Sequence, residues 1–346
     1  SWYYDAGLCR SAYRSGVGPS DRIGDLGFRL SRTGPWPSYS FTLVRDDEGA
    51  SEQRDEAQEP PTPQAEIFAP QQGFRDRFVI VRKDGRAERA DVRREGPEMV
   101  YLPGGTFLMG DEQGNDDEKP VHRVALDAFA MGRTPVTWGE YRRFCEDTDS
   151  HWPEWLEEGS QYHLDKGGDY YNYYNYYTNR GIARDAVDLP VVGVAWDDAV
   201  AYCAWLAERT DRPYRLPTEA QWEYACRADT QTRWSFGDNE EHLGDYGWYS
   251  KNAQGKLHPV GRKRPNPWGL LDMHGNVWEW CADWYAEDAY SKRAASISTA
   301  AADAAASRGD SRSEAAGEYI YDPTSPETGS VRVVRGGSWG SVAVCL

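Results

Sequence analysis

Apolar residues recur with helical spacing in three stretches of the chain; elsewhere they come in short β-like runs broken by Gly, Pro, Asn and Asp. Thr137–Trp138–Gly139–Glu140 fits a capping box and predicts a helix running to about Cys145. Val200, Cys203, Ala204 and Ala207 fall at i, i+3, i+4 and i+7, which predicts one apolar face on a helix of about 197–209. Thr218–Glu219–Ala220–Gln221 is a second capping box, and Trp222, Ala225 and Cys226 share a face of the helix it opens. Phe78–Val79–Ile80–Val81 reads as a strand with a turn at Asp84–Gly85, and Val331–Arg332–Val333–Val334 as another. Few helices, short strands and many structured loops predict an α+β fold.

The pattern divides unevenly along the chain. Residues 1–33 read as structured. Residues 34–73 are an acidic, proline-bearing linker, with Asp46–Asp47–Glu48 and Glu59–Pro60–Pro61–Thr62–Pro63, too polar to bury a core. Residues 74–98 form a short β-like lead-in to a main domain at 99–346. Within that domain the Ala/Ser-rich stretch 291–317 reads as a mobile insertion. At 346 residues the default prior is two domains, but the apolar density from Met99 onward favours one large one.

Composition narrows the function classes. Thirty-nine Lys+Arg against fifty-six Asp+Glu leave a net charge of −17, which argues against non-specific nucleic-acid binding and anionic membranes. No apolar run approaches the ~20 residues of a membrane span, so the expectation is a soluble protein, cytoplasmic or exported. The six cysteines (Cys9, Cys145, Cys203, Cys226, Cys281, Cys345) contain no CxxC pair, which argues against a zinc finger or a thioredoxin-type site. The six histidines (His122, His151, His163, His242, His258, His274) form no HxxxH pair. Fifteen Trp and twenty-two Tyr against nine Phe suit a loop-rich fold or a recognition surface.

Several segments carry a resemblance. They are Met99–Val100–Tyr101–Leu102–Pro103–Gly104–Gly105–Thr106–Phe107–Leu108–Met109–Gly110, Pro135–Val136–Thr137, and Arg215–Leu216–Pro217–Thr218–Glu219–Ala220–Gln221–Trp222–Glu223–Tyr224–Ala225. Asn266–Pro267–Trp268–Gly269–Leu270, Asp272–Met273–His274–Gly275–Asn276–Val277–Trp278–Glu279–Trp280 and Arg335–Gly336–Gly337–Ser338–Trp339 complete the series. In order and spacing, over about 240 residues, they resemble the formylglycine-generating enzyme (sulfatase-modifying factor) family, which implies a C-type-lectin-like fold.

The ends depart from the family's order. The closing Cys-Arg-Ser-Ala-Tyr-Arg and Gly-Phe-Arg-Leu elements, which come after Gly-Gly-Ser-Trp in the family, stand here at Cys9–Arg14 and Gly27–Leu30. This fits either a slice of a tandem array or a circular permutation, and the likeness of Ser1–Cys9 to Ser338–Cys345 favours the slice. Either way, residues 1–33 are expected to dock in cis as the closing strands of the main domain.

The resemblance also implies sites. Family members that oxidise a substrate cysteine to formylglycine bind copper(I) through two nearby thiolates. Here Cys9 and Cys345 each stand alone, as weak catalytic candidates. The family's groove beside Gly-Gly-Ser receives a peptide, and carrying it over gives Trp280, Ser338 and Trp339, with the duplicate Ser1–Trp2 and the adjoining Tyr3 and Tyr4, as ligand-binding candidates. In variable ligand-display proteins of this fold the variable positions match Tyr3–Leu8. The Tyr-rich stretch Tyr170–Tyr177 is a further candidate adhesive loop. Structural calcium, implied by the resemblance, would take Asn276 and Glu279 at one site and Asp245 and Asn252 at a second. The expected function is a non-catalytic module binding a peptide or protein ligand; the alternative is a copper-dependent oxidase making formylglycine in a partner protein.

Overall fold

The N-terminal strands complete two of the sheets, two of them as edges and one between later strands, although they precede the rest of the fold by a long stretch of chain. In the computed structural model, which describes residues 10–34, 73–81, 87–166, 177–306, 319–323 and 326–341, the chain begins with β1 (Ser15–Val17), β2 (Leu26–Phe28) and β3 (Ser31–Arg32). Next come β4 (Phe74–Val81), β5 (Ala87–Leu102), β6 (Gly105–Met109), β7 (His122–Leu126) and β8 (Phe129–Gly132). The helical half has α1 (Trp138–Thr148), α2 (Trp196–Thr210), β9 (Tyr214–Arg215), α3 (Glu219–Arg227) and α4 (Leu243–Tyr246). It closes with β10 (Trp278–Trp284), α5 (Ala289–Ala306), β11 (Ile320–Tyr321) and β12 (Arg332–Arg335).

Three sheets result, ordered β1-β12-β10-β2, β11-β7-β6 and β4-β5-β8-β3-β9. In the first, β1 runs antiparallel to β12, and β2 runs parallel to β10 with Phe28 opposite Trp280. In the third, β3 sits between β8 and β9. The segment 15–32 therefore pairs with strands from both halves of the domain. Its alternation explains the fit: Leu26, Phe28 and Leu30 are buried in the larger apolar core, each worth roughly 1.5–3 kcal/mol of burial. Gly27 lies where a Cβ would meet the Val191 carbonyl oxygen at 2.7 Å, so no larger residue fits without a backbone shift.

Both capping boxes form. Thr137 Oγ1 accepts from the Glu140 amide at 3.2 Å, and Glu140 Oε2 accepts from the Thr137 amide at 3.0 Å. Thr218 and Gln221 do the same at the start of α3. The α2 helix lies where its periodicity places it, but its face is rotated. Val200 and Ala204 are exposed, while Ala199, Tyr202, Cys203, Trp205 and Leu206 are buried, because the larger aromatic and Leu side chains bury more apolar area than the small ones.

The Ala/Ser-rich stretch expected to be a mobile insertion begins as helix α5. Alanine is the strongest helix former, and the buried Tyr290 and Arg293 pin its first turns; residues 307–317 lie outside the described part. No helix among the described residues is long and apolar enough to cross a membrane.

Candidate functional site

Buried ion pairs, each between distant segments, bind the N-terminal strands to the rest. Arg29 donates to both Glu279 oxygens at 2.9 and 2.8 Å, and its remaining N–H groups reach the carbonyls of Gly132, Arg133 and Leu271. Arg14 donates to Glu219 at 2.6 Å, with its guanidinium 4.7 Å from the centres of both the Tyr285 and Tyr290 rings. Arg335 on β12 donates to Glu223 at 2.7 Å and to the Ser11 and Tyr13 carbonyls. Burial opposes the Glu219 charge, but Arg14, Arg335 and Arg293 outweigh it and hold its pKa at about 2. The neighbouring Asp283 is pushed up to about 6 by burial and by Glu219. Paired with one another and with backbone carbonyls inside the core, these groups are structural.

That network decides the role of Glu279. It was expected to ligate calcium, yet its oxygens accept from Arg29 and from Trp222 Nε1 at 2.8 Å. A calcium ion would have to displace a guanidinium, so this carboxylate does not fit one. Asn276, its expected co-ligand, has a left-handed backbone (φ 66°) and brackets His258: its Oδ1 accepts from the His258 amide and its Nδ2 donates to the His258 carbonyl. Asn252 staples its own loop, accepting from the Tyr249 amide and donating to the Gly247 carbonyl. Asp245 is exposed and 3.7 Å from Arg264. Among the described residues no three His, Cys, Asp or Glu side chains group as a metal site.

Trp280 also changes role. Expected to line a groove, it is fully buried in the core, with Nε1 donating to the Val194 carbonyl at 3.4 Å. Its strand lies between β12 and β2, so the ring has sheet on either side and core in front of it. Ser1, Trp2, Tyr3, Tyr4, Cys9, Cys345 and Tyr170–Tyr176 lie outside the described residues. The four described cysteines are buried and unpaired. Burial pushes the Cys145 and Cys226 thiols up to about 12, and those of Cys203 and Cys281 well upward, so none is a thiolate at neutral pH.

Trp339 does reach the surface, half-buried, while the adjoining Ser338 is buried. Ser338 Oγ donates to Asp25 Oδ2 at 2.7 Å, and Asp25 is half-buried. Burial pushes its carboxyl upward, while Ser338 and Arg180 pull it back. Arg180 lies 5.2 Å over the half-buried Trp339 ring, whose backbone amide donates to the Asn276 carbonyl at 3.0 Å. Through Asn276 the face continues to His258, which stacks on Trp248 at 3.7 Å, and to Lys263 Nζ, 3.8 Å over the same Trp248 ring. An anion, cations and flat aromatic faces thus adjoin, an arrangement suited to holding mixed side chains.

Asp25, Arg180, Trp248, His258 and Lys263 were not singled out from the sequence. The basic run from Lys251 to Arg264 was the available signal. Elsewhere, a polar cavity of about 530 Å³ opens beside Arg10, Asp111, Arg227 and Arg233. Arg10 is already paired with Asp111 and Glu118, and Arg227 with Glu223.

The comparisons with known proteins agree with this architecture. The sulfatase-modifying factor enzyme 1-like domain matches residues 85–345. The serine/threonine-protein kinase pkn1 of Chlamydia caviae is 32% identical over 278 residues, covering 77% of this chain and 37% of that protein; the chain thus spans little more than a third of that relative. The formylglycine-generating enzyme of Streptomyces coelicolor is 32% identical over 279 residues, covering 70% of this chain and 78% of the enzyme. The solved structure of PvdO from Pseudomonas aeruginosa superposes with a TM-score of 0.53 at 25% identity, covering 80% of this chain and 89% of PvdO. With its α+β, C-type-lectin-like architecture and a profile match across most of its length, the chain belongs to the sulfatase-modifying factor (formylglycine-generating enzyme-like) domain family.

Proposed function

We propose that this chain is a non-catalytic recognition domain that binds a peptide or protein segment at the Ser338–Trp339 face. The observation that carries the reading is the junction of Asp25, held by Ser338, with Arg180 over a half-buried Trp339. Such a junction offers a carboxylate, a guanidinium and an indole plane within one side-chain neighbourhood. An extended peptide can satisfy all three, the indole anchoring it and the two charges fixing its register. The test is selection from a random peptide-display library on the purified chain, with the hits measured against Trp339→Ala and Arg180→Ala. Binding weakened at least about tenfold by both, a loss on the scale of a hot-spot truncation, supports the reading. Hits indifferent to both variants would sink it.

A second reading is favoured by the likeness to the Streptomyces coelicolor formylglycine-generating enzyme: a copper-dependent oxidase acting on a cysteine of a partner protein. Copper(I) would need soft thiolate ligands, and for that role only Cys9 and Cys345 are left once the four buried cysteines are set aside. Copper(I) titration discriminates between the readings. Tight stoichiometric binding abolished by Cys9→Ser or Cys345→Ser would replace the recognition reading with the oxidase.

A further inference from the structure

Between residues 251 and 264 the chain carries Lys251, Lys256, Arg262, Lys263 and Arg264 together with His258, and no Asp or Glu occurs anywhere from 246 to 271. In a chain of net charge −17 this is a local reversal of sign, and the structure keeps it at the surface. Lys251, Lys256, Arg262 and Arg264 are exposed, and Lys263 is half-buried against Trp248. Nearby carboxylates take up part of the charge: Lys251 pairs with Glu240 at 2.7 Å, and Arg264 lies 3.7 Å from Asp245. Lys263 donates to the Gly244 carbonyl and feels Asp245 and Asp272. Lys256 and Arg262 pair with no carboxylate among the described residues.

The loop is built onto the Ser338–Trp339 face. The Leu257 amide donates to the Arg180 carbonyl at 3.1 Å, and the Asn276 side chain holds both backbone groups of His258. The Trp339 amide is bonded to the Asn276 carbonyl in turn. Arg180, Trp339, His258, Trp248 and Lys263 therefore belong to one continuous strip, with Lys256 and Arg262 on the same loop. At physiological ionic strength charges are screened beyond ~8 Å, so a docking partner senses these cations more than the distant acidic residues.

We infer that this strip binds an acidic peptide segment, whose carboxylates reach Lys256, Arg262 and Arg180 while its backbone lies across Trp339 and Trp248. The inference rests on the reading of the Ser338–Trp339 face as a peptide site and names its ligand chemistry. Asp25 beside Arg180, with Glu240 and Asp245 at the other margin, interrupts the positive strip. Spaced carboxylates on a peptide can avoid these acidic groups; the uniform charge of a polysulfate or a phosphodiester cannot.

Fluorescence anisotropy tests this with a fluorescein-labelled alternating Glu/Gly peptide, a Gln/Gly peptide as neutral control and a heparin fragment as competitor. The expected result is binding of the Glu/Gly peptide only, weakened by salt. The exposed double variant Lys256→Glu/Arg262→Glu, checked for an unchanged circular dichroism melt, should weaken it about tenfold or more, since an exposed ion pair contributes up to ~1 kcal/mol and each reversal adds repulsion. Trp339→Ala should weaken it as well. Equal binding of both peptides, or no effect of the double variant, overturns the acidic assignment; a retained Trp339→Ala effect in that case leaves the peptide site standing. Binding by neither peptide overturns the acidic assignment alone, provided display-selected peptides still depend on Trp339. Heparin binding tighter than the Glu/Gly peptide would make the strip a polyanion site and overturn the peptide assignment.

Discussion

Two regions of this molecule use the same side chains, arginine, carboxylate and aromatic ring, to opposite ends. In the N-terminal arm, Arg29 meets Glu279 and three carbonyls, and Arg14 meets Glu219 between two tyrosine rings, all out of water. On the Ser338–Trp339 face, Arg180 and Lys263 cover half-buried tryptophans, Asp25 is half-exposed, and Lys256 and Arg262 have no acidic partner among the described residues. What separates structure from recognition here is how completely each polar group is satisfied, not which residues are present.

The largest effect expected from breaking the comparison lies in the arm. Arg29→Ala strands the buried Glu279 carboxylate and should cost about 3–5 kcal/mol, read by urea denaturation. Arg180→Ala on the face should cost under about 1 kcal/mol while weakening ligand binding. Equal stability losses would erase the distinction. Hydrogen exchange gives a companion test: amides in Ala12–Leu30 should exchange as slowly as those of β10, and fast exchange throughout would mean that the arm does not close the sheets.

An intermediate effect is expected at His274. Burial pushes its pKa down to about 3, and the neutral ring accepts from Ser235 Oγ at 2.9 Å. In the unfolded chain it titrates at about 6.5. Its contribution is therefore complete above pH 6.5 and is lost as pH falls toward 3, because the unfolded state takes up the proton first. Between pH 7.5 and 4.5 wild type should lose about 2.7 kcal/mol relative to His274→Gln, at ~1.4 kcal/mol per pKa unit. At ~2–4 °C per kcal/mol, that narrows the gap in melting temperature by roughly 5–11 °C. A gap that holds constant with pH would mean the ring is not kept neutral.

The smallest effect expected is that of calcium. With Glu279 committed to Arg29, adding millimolar calcium should leave the melting temperature unchanged. A calcium-dependent rise would show that loop oxygens other than Glu279 form a site.

Much of the architecture was legible because its signals are local. Capping boxes are read within four residues, and both form; the strand at Val331–Val334 and the helices about α2 and α3 lie where their patterns put them. The α2 face was read a step off because periodicity weights Val200 and Ala204 like Tyr202 and Trp205, whereas packing rewards area. The ion pairs were illegible for another reason: Arg29 and Glu279 are 250 residues apart in sequence, and nothing in either neighbourhood marks a salt bridge. Glu279 and Trp280 carried family signature, and that signature is equally what a buried Arg29 partner and a core tryptophan on a central strand would leave. Of the face, Ser338 and Trp339 were visible as a motif. Asp25 and Arg180 join them only through tertiary structure.

Hydrogen exchange with a Trp339-dependent peptide bound tests most directly the claim that recognition occurs on this face and not in the arm. The account predicts slowed exchange confined to 248–264, the segment around Ser338–Ser341 and the immediate neighbours of Asp25 and Arg180, with the rest of Ala12–Leu30 unchanged. Protection centred on the arm, or spread evenly over the domain, would contradict it.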